Sequence, residues 1–505
     1  MKAVRPTGLS DHLPAETQAL RACREALQRV MTSFGYREVE TPILEFVDLF
    51  LAKAGPDPGM RLYTLEQGGR HLCLRPEFTA SIGRLFVEHL QGWPQPIRLQ
   101  FAGPVFRLET PQRGRTRQFT LVGAELLGAE GPLADAEVVA LACTALQEAG
   151  VRDFRVEIGH IGLVQKVLQS LGLSQRGQQF VLRHMESLRK PHLGRAHVHH
   201  LLDALYPPAS SQAEVTAGPQ AGIPNGALSE ALSHTLAAQG GFLGSRTPDE
   251  IARRLVEKRR VAHERGAIQQ ALDAVEALRQ LAGPAPDALR RAQEHFAAKG
   301  WDDALLADLA ATLEFVAAHG LPPERVWLDL GMGRGLHYYT GMVFEIHSEG
   351  REAGDSQLCG GGRYDDLLRE LGSRQMVPAA GFAIGLERVV GAQEGREGAR
   401  GDKPPGPDVR VIPVGPEDAV YAIQVAQQLR AETGLRVEVQ VKAHLGLGPG
   451  LRLAHRQGVS LVAIVGARER EAGTALLRRM GQREQKEVAL AALASEVLAA
   501  RAQEG

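Results

Sequence analysis

Phe106-Arg107-Leu108-Glu109-Thr110-Pro111-Gln112-Arg113-Gly114-Arg115-Thr116-Arg117-Gln118-Phe119 carries one apolar run into another, Phe119-Thr120-Leu121-Val122, through a loop dense in arginine and glycine. The pattern predicts a strand, a basic loop and a returning strand. Guanidinium groups present planar forks of donors that suit phosphate and carboxylate, and a loop glycine lets the backbone turn close to a ligand. A polyanion site is one reading, and a solvated basic hairpin tip is the other. Arg107 favours the first, because it ends an apolar run where a guanidinium without a partner is expensive to bury.

Before the hairpin, Thr17 to Ser33 carries apolar residues at helical spacing and Gly35 supplies a stop. Val39 to Ile43 reads as a strand in which Pro42 is tolerable only at an edge or bulge. After it, Asp135 to Gly150 reads as an amphipathic helix and Phe154 to Ile158 as a strand. Beyond Gly159 the pattern is almost wholly helical to about Gly320, interrupted by linker-like Pro207 to Ser211 and Gly218 to Gly226. Thr247-Pro248 is a helix start, with Thr as N-cap and Pro in the first turn. Gly391 to Pro407 reads as a linker. Strands Val409 to Val414, Leu435 to Val441 and Val459 to Val465 then alternate with helices Ala419 to Thr433 and Leu451 to Gln457, a small α/β unit.

A chain of 505 residues has room for about three domains. Its 44% hydrophobic and 23% charged content is that of an ordinary globular enzyme. No apolar run approaches the roughly 20 residues that span a bilayer, and Met1 to Pro6 is not followed by an apolar leader, so a cytoplasmic location is expected. Cys23, Cys73, Cys143 and Cys359 are scattered through apolar segments, as buried thiols are. A net charge of −1 exerts no global pull on nucleic acid, so any RNA contact rests on local patches.

Further segments accompany the hairpin: Phe34-Gly35-Tyr36-Arg37-Glu38-Val39-Glu40-Thr41-Pro42, Leu74-Arg75-Pro76-Glu77-Phe78-Thr79, Gly333-Arg334-Gly335-Leu336-His337-Tyr338-Tyr339-Thr340-Gly341, Gly360-Gly361-Gly362-Arg363-Tyr364-Asp365, and Gly385-Leu386-Glu387-Arg388. In order and wording they resemble the class II aminoacyl-tRNA synthetases, specifically the histidyl-tRNA synthetase family. The likeness covers the chain outside about 165 to 320. It implies an α+β fold, with an antiparallel-sheet catalytic domain in two parts (1–165 and 322–393) around a helical insertion (166–321). A linker (394–407) and an α/β anticodon-binding-like domain (408–505) follow. It also implies a homodimer, with histidine and tRNA(His) as substrates. His197, His199 and His200 lie in the insertion without cysteine or carboxylate at ligand spacing, which favours a solvated or tRNA-facing role over metal.

The resemblance assigns roles residue by residue. Arg107 matches the arginine that grips the α-phosphate of ATP, and Arg388 the one that holds the γ-phosphate. Glu109 resembles the acid at the adenine end, and Arg115 and Arg117 are candidates for phosphates or the tRNA acceptor end. Mg2+ is implied with ATP, since it favours phosphate oxygens plus a carboxylate or two, but no protein metal cluster is evident in the spacing. Glu77 and Thr79 match α-amino contacts, Glu125 and Tyr339 imidazole contacts, and Arg334 the histidine-specific arginine near the reacting carboxylate. Tyr338, Tyr364 and the glycines Gly360, Gly361 and Gly362 shape the pocket wall.

Two positions depart from the family pattern. Leu121 stands where the synthetases carry glutamine, and His337 where they carry aspartate. Losing a buried amide contact costs about 0.5 to 1.5 kcal/mol of net binding. These departures raise a rival reading: a histidine-sensing regulatory subunit of ATP phosphoribosyltransferase, a synthetase paralogue that partners that enzyme's catalytic subunit. Ile158-Gly159-His160-Ile161-Gly162 resembles that subunit as much as the ligase. Both phosphate arginines and the C-terminal domain favour the ligase. A third reading, an RNA-binding or scaffold paralogue, is opposed by the presence of Arg107 and Arg388.

Overall fold

The computed structural model describes residues 4–54, 62–108, 116–189, 194–205, 248–333, 338–350, 356–393, 406–441, 446–480 and 485–502. The chain divides into two compact units, one of Met1–Asp11 and Ala19–Arg396, the other of His12–Gln18 and Glu397–Gly505.

In the first unit the strands run β1 (Arg37–Glu38), β2 (Leu44–Phe46), β3 (Thr64–Gln67), β4 (Arg70–Leu74), β5 (Ile97–Phe106) and β6 (Gln118–Leu127). They continue as β7 (Phe154–His160), β8 (Gly283–Pro284), β9 (Val326–Leu328), β10 (Met342–Ser348), β11 (Gln357–Arg363) and β12 (Ala379–Gly385). Among the described residues nine strands form one sheet, in the order β1-β5-β6-β12-β11-β10-β7-β9-β8, and β2-β4-β3 form a smaller one. The expected hairpin is the antiparallel pair β5–β6, closing with Phe106 opposite Gln118. Every pairing from β5 across to β7 is antiparallel, and among the described residues of this sheet parallel pairs occur only at β1–β5 and β7–β9.

The strand expected over Val39 to Ile43 does not form: one strand ends at Glu38 and the next begins at Leu44. Pro42 lacks an N–H for a ladder. The carbonyls around it are instead used by Arg75, whose Nη1 donates to Thr41 O at 2.7 Å and Pro42 O at 3.4 Å.

Helix α1 (Pro14–Ser33) buries Cys23, Leu27, Val30 and Met31 at helical spacing. Gly35, at φ 86°, makes the turn after it that a Cβ would resist. Helix α2 is Thr79–Leu85, α3 is Gly131–Glu148 and α4 is Ile161–Ser170. The segment expected to be amphipathic is α3, and it is buried around most of its circumference because it packs on both the sheet and the helix Ala304–Ala318. Helices Gln175–Arg189, Gly194–Leu205, Pro248–Gln280 and Ala285–Lys299 complete the helical block. They share the sheet's core: Val181, Val198, Leu272 and Phe296 belong to one buried cluster with Val156 and Phe344. The linker-like stretches Pro207–Ser211 and Gly218–Gly226 lie outside the described residues. The first unit closes with α5 (Leu386–Ala392).

In the second unit β13 (Val409–Pro413), β14 (Val437–Val439), β15 (Leu461–Val465), β16 (Thr474–Arg479) and β17 (Gln485–Ala489) form a sheet ordered β14-β13-β15-β16-β17. Helix α6 (Ala419–Thr433) ends at left-handed Gly434, and α7 (Leu447–Arg456) and Leu490–Ala502 follow. Val411, Val425, Leu429, Leu461, Ala463 and Val497 form its core.

Candidate active site

Side chains alternate across a strand, and directly opposed residues on neighbouring strands share a face. The register therefore builds two rows on one face of the large sheet. Phe101, Gly123, Ala383, Gly360, Glu345 and Glu157 form the first, across β5, β6, β12, β11, β10 and β7. Leu99, Glu125, Gly381, Gly362, Val343 and Gly159 form the second. The centre of both rows is glycine and alanine, so the floor is flat. A Cβ at Gly123 would press on the Phe101 ring, and one at Gly381 on the Glu125 carboxylate.

Glu125, 1% exposed, marks one end. The Tyr364 hydroxyl donates to its carboxylate. Tyr338 packs against Tyr339 with ring centroids 4.6 Å apart and against Tyr364 at 5.7 Å. Burial pushes the Tyr338 and Tyr364 phenols well above their ordinary value, with Tyr339 and Glu77 reinforcing it at the first and Glu125 at the second. Both therefore remain neutral hydroxyls. Glu77 sits beside them, and its carboxylate accepts the N–H groups of Thr79 at 2.6 Å and Ala80 at 3.0 Å. It thereby caps α2, where a negative charge suits the helix dipole. Thr79 is the first residue of that helix. Leu121, 6% exposed, belongs to the apolar cluster that contains Phe78 and all three tyrosines.

At the loop end of the hairpin, half-buried Arg107 donates from Nε to Pro76 O at 3.0 Å and lies over the Phe119 ring at 5.2 Å. Arg117 donates from Nη1 to Thr7 O at 3.1 Å. Arg388, in the first turn of α5, donates from Nη1 to Gln357 O at 2.8 Å. The neighbouring Glu387 carboxylate accepts the N–H of Thr120, at 2.9 and 3.0 Å, and so ties α5 to β6. Glu109, Arg115, Arg334 and His337 lie outside the described residues.

Spacing along the chain suggests no protein metal cluster, yet among the described residues the register brings one set of suitable side chains together. Ligand atoms of Glu157, Glu345 and His347 lie within 4.8 Å of one another. His347 Nε2 is 3.2 Å from Glu345, Gln357 donates to Glu345 at 3.0 Å, and Arg155 donates to Glu157 at 2.9 Å. In contrast, His197 and His200 are surface residues of the helix Gly194–Leu205, and His199 accepts from Arg195 at 3.0 Å.

Four residues stand out that sequence reasoning left without a role. Arg75, 4% exposed, donates to Pro104 O at 3.0 Å and lies 3.9 Å from the Phe78 ring centroid, joining β5 to α2. Arg363, 6% exposed, is held by Asp135, which burial pushes toward a higher pKa and the guanidinium pulls back. His160 caps α4 by accepting the Leu163 N–H at 3.2 Å, and burial, with Arg363 adding to it, lowers its pKa to about 4. The available signal was an arginine between apolar neighbours in two of the motif segments, since such a guanidinium needs a buried partner.

The family model described as Histidyl-tRNA synthetase matches residues 8–242 and 244–389, and that described as Anticodon binding domain matches 408–500. The chain is 33% identical over 497 residues to the histidine–tRNA ligase of Methanoregula boonei, covering 98% of each. It is 30% identical over 487 residues to that of Pyrococcus horikoshii, covering 96% of each. Its fold is like that of histidyl-tRNA synthetase from Nostoc sp. PCC 7120, with TM-score 0.66, 23% identity and 99% of each chain covered. The apo S. aureus histidyl-tRNA synthetase gives TM-score 0.63 at 24% identity, over 98% of this chain and 100% of that one.

Proposed function

The chain belongs to the histidyl-tRNA synthetase family, and we propose on that premise that it is a histidine–tRNA ligase, activating histidine with ATP and passing it to tRNA(His). The observation that carries this reading is the Glu125 end of the glycine floor. A buried carboxylate already holding one phenol, ringed by two more, suits an imidazole N–H. A site built on buried polar groups rejects side chains that leave them unsatisfied.

Activation joins a histidine carboxylate oxygen to the α-phosphorus as pyrophosphate leaves. Negative charge spreads over phosphoryl oxygens, and fixed cationic donors stabilise it with little reorganisation. Arg107 and Arg388 are the candidates, the first just beyond the end of β5 and the second in the first turn of α5, each already oriented by a backbone carbonyl. Arg117 is a further phosphate candidate, and Glu109, Arg115 and Arg334 keep the roles the family pattern gives them. Glu77 supplies the negative charge for the α-ammonium, beside Thr79. A divalent cation with ATP would neutralise polyphosphate charge. Glu157, Glu345 and His347 fit such an ion in donor type and mutual distance, and Mg2+ or Mn2+ suits a carboxylate-rich set.

The second unit is the candidate for the anticodon end of tRNA. Arg452, His455 and Arg456 on α7, with Leu451 and Met480, line an open pocket of about 570 Å3. Lys442 lies outside the described residues. A homodimer is supported by the small sheet, where Leu44, Phe46 and Leu65 are exposed and share a face with Leu72 and Leu74. Among the described residues no helix is long and apolar enough to cross a membrane; the cytoplasmic location is proposed from the family alone. The histidine-sensing and scaffold readings are set aside: relatives similar over nearly the full length carry the ligase name, and the second unit matches an anticodon-binding model.

Histidine-dependent ATP–pyrophosphate exchange by the purified protein, followed by charging of tRNA(His), tests the assignment. Histidine binding with neither exchange nor charging would overturn it in favour of the sensor.

A further inference from the structure

Tyr364 and the Tyr338–Tyr339 pair enter the site on two separate segments, Tyr364 directly after β11 and the tyrosine pair before β10. A buried polar cluster joins them. Arg363 Nε donates to Asp135 at 2.8 Å, and its Nη1 donates to Asp365 at 2.9 Å and to Ala129 O at 3.0 Å. The same Asp365 oxygen accepts the N–H of Ala379 at 3.1 Å, while the Tyr364 N–H donates to Ala379 O at 2.7 Å. Tyr364 is thus held on both sides. The second segment is tied to the first by Thr340, whose N–H donates to Arg363 O at 2.9 Å and whose Oγ1 accepts the Asp365 N–H at 3.0 Å. Gly341 leaves the space: a Cβ there would lie 3.0 Å from the Arg363 side chain.

We infer that Arg363, with Asp135, Asp365 and Thr340, is a positioning device that locks the three tyrosines over Glu125 and so sets the affinity for histidine. This rests on the assignment of the Glu125 end as the histidine site. Arg363 and Thr340 are positioning residues, acting through Tyr364 and Tyr339. The planar fork of arginine makes the cluster possible, since it bonds Asp135 and Asp365 in fixed directions. A lysine keeps the charge and loses the geometry.

The test uses the full-length protein with Arg363→Lys, Thr340→Val and Thr340→Ser. Calorimetry gives histidine and ATP affinities separately, exchange kinetics gives KM for each and kcat, and thermal melts report folding. Arg363→Lys should weaken histidine binding about tenfold or more, the scale of losing a charge-assisted hydrogen bond. Thr340→Val should weaken it several-fold, Thr340→Ser should restore it, and ATP affinity and kcat at saturating histidine should stay within about twofold. Thr340→Val removes one acceptor while keeping side-chain shape, so it carries the test if Arg363→Lys fails to fold. Folded variants that bind histidine as the unaltered protein does would overturn the proposal. So would equal loss of histidine and ATP affinity, the mark of a general structural role. Absence of histidine binding in the unaltered protein would instead sink the histidine-site assignment beneath it.

Discussion

The two ends of the glycine floor hold carboxylates of the same type in opposite circumstances. Glu125 is 1% exposed, bonded to a phenol and ringed by aromatic side chains. Glu345 and Glu157, three and four strands away on the neighbouring row, are cross-strand partners beside a histidine and an arginine. Like charges placed directly opposite on a sheet repel. The proposed cation therefore belongs at the Glu345–Glu157 end, whereas the Glu125 end suits the proposed imidazole, a ring that uses its hydrogen bonds. On the proposed reading, one floor joins a histidine-selective end to a cation-binding end across small residues.

The largest expected effect removes the proposed phosphate donors beside β5 and on α5. Arg107→Ala and Arg388→Ala should each slow pyrophosphate exchange by about 10²- to 10³-fold, as loss of one preorganised electrostatic donor does. Histidine affinity, measured by calorimetry, should stay close to that of the unaltered protein, and a parallel loss of both would merge histidine and phosphate recognition into one site. Next, Glu125→Gln keeps an acceptor for Tyr364 and removes the charge facing the ligand. Histidine KM should rise about 10- to 100-fold, the equivalent of about 1.5 to 3 kcal/mol, with ATP KM unchanged.

A smaller effect concerns the acid response behind the histidine-selective end. The folded protein favours neutral His160, whose pKa falls from 6.5 to about 4. The unfolded chain therefore takes up the extra proton between those values, and stability present above pH 6.5 is lost as pH falls through that window. At about pH 5 the loss is about 2 kcal/mol. His160→Asn retains a capping acceptor without the proton, so its stability should be flatter between pH 6.5 and 4 in urea titrations. An unchanged acid slope would refute the assignment. Smallest is Leu121→Gln, which restores the family's amide. It should tighten histidine binding by no more than about 1.5 kcal/mol and lower the melting temperature, because the amide enters an apolar cluster.

Much of this was legible along the chain. The hairpin, α1, α6 and β13 fall where their patterns placed them, because each is a local periodicity ended by a glycine or proline. Val39 to Ile43 misled because five residues of β-like composition say nothing about Arg75, which takes the carbonyls around Pro42 from 33 and 34 residues away. The amphipathic reading of Asp135 to Gly150 missed the second layer, since one-sided burial cannot be told from two-sided burial until the partner helix is known. Arg363 and Asp135 lie 228 residues apart, and only their meeting gives either a role.

What the sequence determined by itself was chemical identity: which residues are cationic, which segments alternate, and which motifs occur in which order. These follow from local side-chain type and spacing. What only the tertiary structure decided was register. A one-residue shift of β6, β10 or β7 against its neighbours would turn Glu125, Glu345 or Glu157, respectively, to the opposite face. The two rows exist because β6, β12, β11 and β10 pack one face against the helices, and that burial leaves glycine, the carboxylates and the arginines to share the other.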